Sequence, residues 1–205
     1  ELIKQVEEYE LFCAGDELSK YDFSKFKSWL NSDLTDKNII WDGKENGRSL
    51  DSIINTLIVH MNRYAKLYSK AIIMDTPFVS QEDFIYLINL RACGPMTKMD
   101  LIKRNVHEKS PGMQIIGRLV TNGWIDQVDD LKDRRAKLIC ISENGLKLLD
   151  KHMNQIRKAS HVVTGDLTEE EKYKLASLLL KLDAFHSDIY HKYDDSEEVL
   201  KFINK

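Results

Sequence analysis

Residues 110–145 read SPGMQIIGRLVTNGWIDQVDDLKDRRAKLICISENG, and the order of patterns in this stretch decides the fold. Ser110 is a typical N-cap and Pro111 suits the first helical position, so a helix is expected to begin here. Apolar residues at steps of three and four give this helix one face that can be buried. Asn122 and Gly123 are typical of its end.

A β-hairpin with a charged tip is expected directly after this helix. Two short β-like runs, over 124–128 and 136–141, flank the charged segment 129–135. A helix, a hairpin and a charged tip in this order are the layout of a winged helix, in which one helix enters a DNA groove and the hairpin lies along the backbone. The stretch therefore predicts a two-stranded β wing.

A second, shorter helix is expected immediately upstream. Thr97 with Asp100 resembles a capping box, although Asp stands where Glu or Gln is usual, and the helix runs to Asn105. A tight turn over 106–109 joins it to the helix that begins at Ser110. Two short helices joined in this way form a helix-turn-helix, so the chain is expected to be mainly α with one winged helix-turn-helix.

Long amphipathic helices flank this region. A helix from Ser49 to about Met74 carries apolar residues at steps of three and four. At ~1.5 Å per residue it is longer than the interior of a small domain requires, so part of its apolar stripe is expected to pack on a second subunit. Thr168 with Glu171 forms a capping box for a last long, leucine-rich helix.

Ordinary caps predict the remaining helices. Ser80 is expected to cap a helix that ends before Gly94, and Ser142 one that ends near Ser160. The expected organisation has four parts: a helical N-terminal extension over 1–48, a dimerisation helix over 49–75, a winged helix-turn-helix DNA-binding domain over 76–145, and C-terminal dimerisation helices with an acidic tail over 146–205.

The N-terminal extension carries no recognisable chemistry. Residues 2–12 predict one short helix, and Asp22 is expected to cap a second one that runs through Leu30.

Composition favours a mostly helical protein with a local basic region. The 205 residues are 42% hydrophobic and include only three prolines and nine glycines. The net charge is −3, so the whole chain is not a general binder of polyanions. Residues 91–137 hold ten Lys or Arg and six Asp or Glu, which gives +4, and the remainder carries −7. This asymmetry suits a basic DNA-facing module on an acidic scaffold.

Sequence motifs do not indicate an enzyme. The six histidines are scattered without a metal-binding spacing, and there is no nucleophile elbow, phosphate loop or dinucleotide fingerprint. Cys13, Cys93 and Cys140 lack CxxC spacing, which argues against a zinc finger or a disulfide framework. Buried apolar positions are expected for Cys93 and Cys140, with a redox switch as the alternative. We expect no cofactor and no metal.

No membrane association is expected. No apolar run approaches the length that spans a bilayer, and no signal peptide is visible, so a cytoplasmic location is the default expectation.

Four motifs resemble those of the MarR family of bacterial transcriptional regulators. They are Arg118-Leu119-Val120, Gly123-Trp124-Ile125, Asp130-Leu131-Lys132-Asp133-Arg134-Arg135 and Ile141-Ser142-Glu143-Asn144-Gly145. Each motif alone is weak, but their order and spacing make a specific signal, and the resemblance covers about residues 49–190. It implies a homodimer whose N- and C-terminal helices interlock and hold two winged helices apart. It also implies binding of double-stranded DNA at an inverted-repeat operator, and family analogy favours repression over activation.

Four positions depart from the family pattern. Lys132 stands where the first wing arginine is usual, Ser142 replaces a threonine, and Gln114 stands where a basic residue is frequent. Gly112 occupies an early position of the recognition helix that normally holds a β-branched residue. Because glycine inside a helix costs about 1 kcal/mol relative to alanine, we expect a mobile helix start or a close approach to the DNA backbone, with an affinity below that of typical members.

The first group of candidate DNA-binding residues lies on the recognition helix. Met113, Gln114, Gly117 and Arg118 are expected to face outward. Gln114 suits adenine, and Arg118 suits guanine or a phosphate, with a solvated or salt-bridged surface residue as the alternative for Arg118. Ser110 is primarily a cap, and phosphate contact at the helix N-terminus is its second expected role.

Flanking lysines and the wing supply the other candidates. Lys98 and Lys109 are expected to make phosphate contacts that do not depend on sequence. Lys132 and Arg134 are candidates for the minor groove or for phosphates. Arg135 is a further wing candidate, and an ion pair with a neighbouring aspartate that stiffens the tip is its alternative.

The resemblance also implies a small-molecule effector held between the dimer helices and the winged helix. His60, Tyr64, Tyr68 and Phe84 are the candidates to line that cleft, and plain interface packing is the alternative.

A second function stays open at this point, namely a winged-helix module that binds proteins and has lost DNA binding. Gly112 and the acidic total charge favour it, and such a module is expected to hold a partner through residues 1–48.

Overall fold

The structure is a computed structural model that describes residues 2–13, 22–26, 39–129, 137–192 and 196–204. The chain divides into two compact units, Glu1–Thr56 and Leu57–Lys205, and the division falls within a helix. The second unit contains the whole winged helix.

The first unit holds the short helices that the sequence predicts. Helix α1 covers Leu2–Phe12. Asp22 caps a helical turn over 23–26, because its Oδ1 accepts a hydrogen bond from the backbone N–H of Ser24 at 2.9 Å. The predicted continuation of that helix over 27–30 lies outside the described residues.

A looped segment precedes the first long helix. It includes a 3-10 turn over Lys44–Asn46. The Arg48 guanidinium donates to the carbonyl oxygen of Asp42 at 3.2 Å and to Oγ1 of Thr56 at 2.7 Å. The Trp41 indole N–H donates to the carbonyl oxygen of Arg48 at 3.0 Å. These bonds tie the loop to the helix that follows it.

Seven further helices follow in the described part of the chain, and the mainly α prediction is confirmed. They are α2 (Leu50–Ile73), α3 (Gln81–Cys93), α4 (Lys98–Arg104), α5 (Lys109–Thr121), α6 (Glu143–Thr164), α7 (Glu169–Lys192) and α8 (Ser196–Ile203). Both long flanking helices, α2 and α7, lie where the apolar pattern predicts them. Helix α6 continues to Thr164, beyond the end expected near Ser160.

Side-chain caps begin most of these helices, as the sequence predicts. The capping residues are Ser80, Thr97, Ser142 and Thr168. The Thr97 hydroxyl accepts from the backbone N–H of Asp100 at 3.1 Å, and the Ser142 hydroxyl accepts from that of Gly145 at 3.0 Å. Because each bond satisfies an N–H that has no partner within the helix, local sequence was enough to locate these helix starts.

The two-stranded wing that the sequence predicts is confirmed, and a third short strand that the sequence did not predict pairs with it. Strands β1 (Met96–Thr97), β2 (Ile125–Asp129) and β3 (Lys137–Ile141) are antiparallel in the order β1-β3-β2. Ile139 at the centre of β3 pairs with Gln127 on one side and with Met96 on the other. Strand β1 is only two residues long, too short to leave a period-two pattern.

One apolar core joins α3, α4, α5, the sheet and α6. Its fully buried members are Tyr86, Leu87, Leu90, Leu101, Ile102, Ile116, Leu119, Ile125, Ile139 and Leu149. Phe78 packs edge-on against Phe84 at 6.0 Å and Trp124 at 5.5 Å between ring centroids. This core fixes α4 and α5 against the wing and so positions the helix-turn-helix.

The close approach of α4 and α5 depends on Gly112. The glycine is buried, and a Cβ atom at this position would lie 2.5 Å from Cγ1 of Ile102. The expectation that Gly112 makes the helix start mobile or approaches DNA is therefore wrong. Its missing side chain is needed inside the fold, where two helices meet.

None of the described helices combines the length and the apolar character that crossing a bilayer requires.

Gly112→Ala is expected to lower the free energy of unfolding by about 1–2 kcal/mol. Overpacking a core costs about 1–3 kcal/mol, and the better helix propensity of alanine offsets up to about 1 kcal/mol. Urea denaturation at fixed protein concentration, followed by circular dichroism, measures the change. Gly117→Ala in the same helix is the matched control, because a Cβ there meets no described atom within 4 Å. Equal stability of Gly112→Ala and the parent would contradict the packing argument.

Candidate nucleic-acid interface

Helix α5 presents one apolar face to the core and one polar face outward. Ile115, Ile116 and Leu119 are buried with Gly112 on the first face. Met113, Gln114 and Gly117 are exposed on the other, which confirms the predicted orientation of those three residues. The outward face is therefore available to a groove of DNA.

The helix begins two residues earlier than the sequence predicts. Glu108 takes the N-cap position in an extended conformation, and α5 starts at Lys109, so Ser110 lies inside the first turn and is not the cap. The carbonyl oxygen of Glu108 accepts from the backbone N–H of Gly112 at 3.1 Å. Pro111 is tolerated in this turn because the first N–H groups of a helix have no partner to lose. Ser110 remains exposed.

Arg118 forms an ion pair with Asp83 of α3. Its Nε donates to Oδ1 of Asp83 at 3.0 Å, and Nη2 donates to the same oxygen. Asp83 is completely buried, whereas 30% of the Arg118 side chain is exposed. The structure thus favours the salt-bridged alternative for Arg118 over the predicted contact with guanine or phosphate.

Asp83 also caps the start of α3. Its Oδ2 accepts from the backbone N–H of Val79 at 2.7 Å and from that of Ser80 at 3.3 Å. Together with Arg118, these donors compensate for burying a carboxylate. One side chain therefore ends the loop before α3 and anchors α5.

The flanking lysines lie at helix starts. Lys98 is the first residue of α4 and is half-buried, and Lys109 is the first residue of α5 and is exposed. Lys103 and Arg104 at the end of α4 are exposed as well. These cations all precede or begin α5 in the sequence, and the exposed residues Met113, Gln114 and Gly117 of α5 carry no charge.

The wing is described at its base only. The last pair of the hairpin joins Asp129 to Lys137, whose side chains also form an ion pair. The tip over 130–136 lies outside the described residues. The roles of Lys132, Arg134 and Arg135 consequently stay predictions.

The turn before α5 is held by two other helices. Its Val106 has a positive φ of 51°. The carbonyl oxygen of His107 accepts from the Tyr190 hydroxyl of α7 at 2.8 Å, and Nδ1 of His107 lies 2.8 Å from the Tyr86 hydroxyl of α3. Burial, and then the negative charge of Glu82, raise the pKa of Tyr86 to about 12, so this hydroxyl stays neutral at physiological pH.

Sequence reasoning missed this contact, because a tyrosine near the end of an amphipathic helix carries no signal of a partner 83 residues away.

The predicted effector cleft is brought together only in part. The rings of His60 and Tyr64 on α2 lie 6.5 Å apart, and Tyr68 on the same helix is half-buried. Phe84 is buried against Phe78 in the core of the winged helix, so for this residue the packing alternative holds.

A groove between α3 and α6 is a further candidate for a ligand. Arg91 and Arg157 lie along it, and Arg91 donates to Oδ1 of Asp150 at 2.6 Å.

The cysteines differ from the expectation of burial. Cys93 is exposed and Cys140 is half-buried, and burial followed by the charge of Asp126 raises the pKa of the Cys140 thiol. A raised pKa disfavours the reactive thiolate. Within the described ranges, no group of three His, Cys, Asp or Glu side chains is placed to hold a metal ion.

Comparison with known proteins agrees with this geometry. Residues 79–145 match the family described as a winged helix DNA-binding domain. The chain is similar to the HTH-type transcriptional repressor NicR of Pseudomonas putida, with 28% identity over 106 residues that make up 52% of this chain and 67% of that protein.

Solved structures support the same fold. Bordetella bronchiseptica BpsR, whose DNA binding is regulated by 6-hydroxynicotinic acid, has a TM-score of 0.60 at 19% identity and covers 66% of this chain and 96% of its own. A mutant MarR from E. coli complexed with operator DNA has a TM-score of 0.57 at 20% identity and covers 66% of this chain and 99% of its own. The resemblance to MarR-family regulators and the winged helix-turn-helix fold are thereby confirmed.

Arg118→Ala is expected to lower the free energy of unfolding by about 2–3 kcal/mol. It leaves the carboxylate of Asp83 buried without its cation, and breaking a buried pair costs about 3–5 kcal/mol, less here because Arg118 is partly exposed. Thermal or urea unfolding measures the loss.

Arg91→Ala is the matched control, because 46% of Arg91 and 60% of its partner Asp150 are exposed. Its expected effect is below about 1 kcal/mol. An Arg118→Ala protein that keeps full stability would show that the ion pair does not anchor α5.

Proposed function

We infer that this chain is a transcriptional regulator of the MarR type that binds double-stranded DNA. The observation that carries the inference is the winged helix over 79–145, in which α5 turns an exposed, uncharged face outward while the lysines beside it supply positive charge. A helix of this kind fits the major groove, and positive residues beside it fit the phosphates.

Contacts with the DNA backbone are assigned to residues that flank the outward face of α5 and to residues on the wing. Lys109 is exposed at the first position of α5, and Lys98 begins the neighbouring helix. Lys132, Arg134 and Arg135 at the wing tip are proposed to continue these contacts along the duplex. Such contacts supply affinity without sequence preference.

A homodimer is proposed as the unit that binds. Helix α7 has no buried residue, and its Leu178 and Phe185 are 62% and 57% exposed. On α2, Leu57 and Leu67 are 52% and 60% exposed. Long rows of exposed leucine on two helices mark a surface that another chain covers. A twofold dimer would place two copies of α5 about 34 Å apart, which fits an inverted-repeat operator.

Control by a small organic molecule is proposed as well. The DNA binding of BpsR is regulated by 6-hydroxynicotinic acid. The groove between α3 and α6 carries Arg157 beside the Arg91–Asp150 ion pair, and the guanidinium of Arg157 suits an anionic ligand. His60, Tyr64 and Tyr68 on α2 remain candidates to complete the site from the dimer helices. Repression rather than activation is proposed from the similarity to NicR.

DNA binding is expected to weaken steeply with salt, and Lys109→Ala is expected to reduce the slope of log affinity against log salt by about one. Fluorescence anisotropy with labelled genomic duplexes over a salt series measures both effects. Lys158→Ala on the C-terminal half of α6 is the matched control and should leave the slope unchanged. A chain that retards no duplex even at low salt, yet captures a protein through residues 1–48, would support the interaction-module alternative.

Leu178→Asp is expected to convert the dimer into a monomer, because a charge placed in an apolar interface has to be desolvated without a partner. Size-exclusion chromatography with light scattering measures the mass. Val128→Asp, on the exposed side of β2, is the matched control and should stay dimeric. A parent protein that is monomeric at micromolar concentration would refute the proposed assembly.

A further inference from the structure

The recognition helix contains two glycines, and only one of them is explained by the fold. Gly112 is required because Ile102 occupies the space of a side chain. Gly117 is exposed, and a Cβ at this position would meet no described atom within 4 Å. Since an interior glycine weakens a helix relative to alanine, Gly117 lowers stability without any gain in packing among the residues described.

Gly117 lies at the centre of the outward face of α5. At 100° per residue, four residues fall within an arc of about 60° directly opposite the buried side of the helix. They are Ser110, Gln114, Gly117 and Thr121. The four side chains carry no charge, and Gln114 is the only long one among them.

The positive residues of α5 are displaced from this central row. Arg118 lies at its edge and directs its guanidinium to the buried Asp83. Lys109 lies about 100° from the centre and at the first position of the helix. Arginine or lysine to guanine is the commonest specific contact in the major groove, and the centre of α5 lacks the side chain for it.

We propose that Gln114 recognises an adenine in the major groove and that Gly117 provides the bare helix surface that lets it reach the base edge. The amide of glutamine donates to N7 and accepts from the N6 amino group in a bidentate pair. Met113, exposed beside Gln114, suits the methyl group of thymine. Each operator half-site therefore holds an A·T pair opposite the middle of α5. This inference rests on the proposed function and specifies its target.

The first test is a selection of bound duplexes from a synthetic random-sequence pool, carried out with the parent chain and with Gln114→Ala. The parent should enrich half-sites with one invariant A·T pair, and Gln114→Ala should lose the preference at that pair only, by about 5- to 150-fold. Gln155→Ala on α6 is the matched control and should keep the parent preference. Gln114→Arg should move the preference at the same pair to G·C.

A base analogue tests the proposed hydrogen bond between the Gln114 amide and N7 of the adenine. Replacement of the adenine by 7-deazaadenine removes the N7 acceptor and should weaken binding of the parent at least about fivefold. Binding of Gln114→Ala should not respond to the analogue. A central G·C pair in the enriched sites, or an unchanged A·T preference in Gln114→Ala, would overturn the proposal.

The Gly117→Ala variant tests whether Gly117 serves base recognition or the stability of the fold. It should raise the melting temperature by about 2–4 °C because helix propensity improves, and it should weaken binding to the selected site at least about fivefold. Binding to random-sequence duplex should stay the same. A variant that is less stable, or that binds the selected site as tightly as the parent, would contradict the assignment of Gly117.

The outcomes also distinguish this inference from the function on which it rests. Salt-dependent binding to duplex without any enriched sequence would refute base recognition by Gln114 while DNA binding stands. Absence of binding to every duplex in the pool would refute the proposed function and this inference together.

Discussion

A single buried carboxylate joins the two helices on which the winged helix depends. Asp83 is fully buried and accepts from the backbone of Val79 and from the guanidinium of Arg118. A carboxylate in this position is tolerated only while its donors are in place. The pair therefore couples the start of α3 to the C-terminal half of α5, and it adds to the apolar core in positioning the recognition helix.

The same ion pair shapes the chemistry of the outward surface. It draws the positive charge of Arg118 away from the centre of α5, where Gln114 and Gly117 remain. Positive charge lies instead beside the outward face of α5, at residues such as Lys109. Phosphate contacts hold a protein on any duplex, whereas base contacts choose the sequence. In the proposed interface, these two tasks are divided between the edge and the middle of one face.

Local signals in the sequence predicted most helices and the wing, because caps such as Thr97 and Ser142 act within three residues. These local signals could not predict interactions between residues that lie far apart in the sequence. The partner of Arg118 lies 35 residues away, and the need for Gly112 is visible only once Ile102 packs against it. Ser110 followed by proline looked like a helix start, but the extended backbone of Glu108 begins the helix earlier.

The two ends of α5 are held by bonds of unequal strength. Near the C-terminal end, the partly exposed Arg118 is paired with a buried charge, and breaking this pair is expected to cost about 2–3 kcal/mol. At the other end, the turn at His107 is tied to α7 by one hydrogen bond from a neutral hydroxyl, Tyr190, which contributes about 0.5–1.5 kcal/mol. A rearrangement of α7 would therefore break the contact at the turn before the pair at Arg118. Gln114 lies between these two contacts, so a shift of the turn would change its position relative to a groove, and a ligand that favours one position of α7 would change DNA affinity by this route.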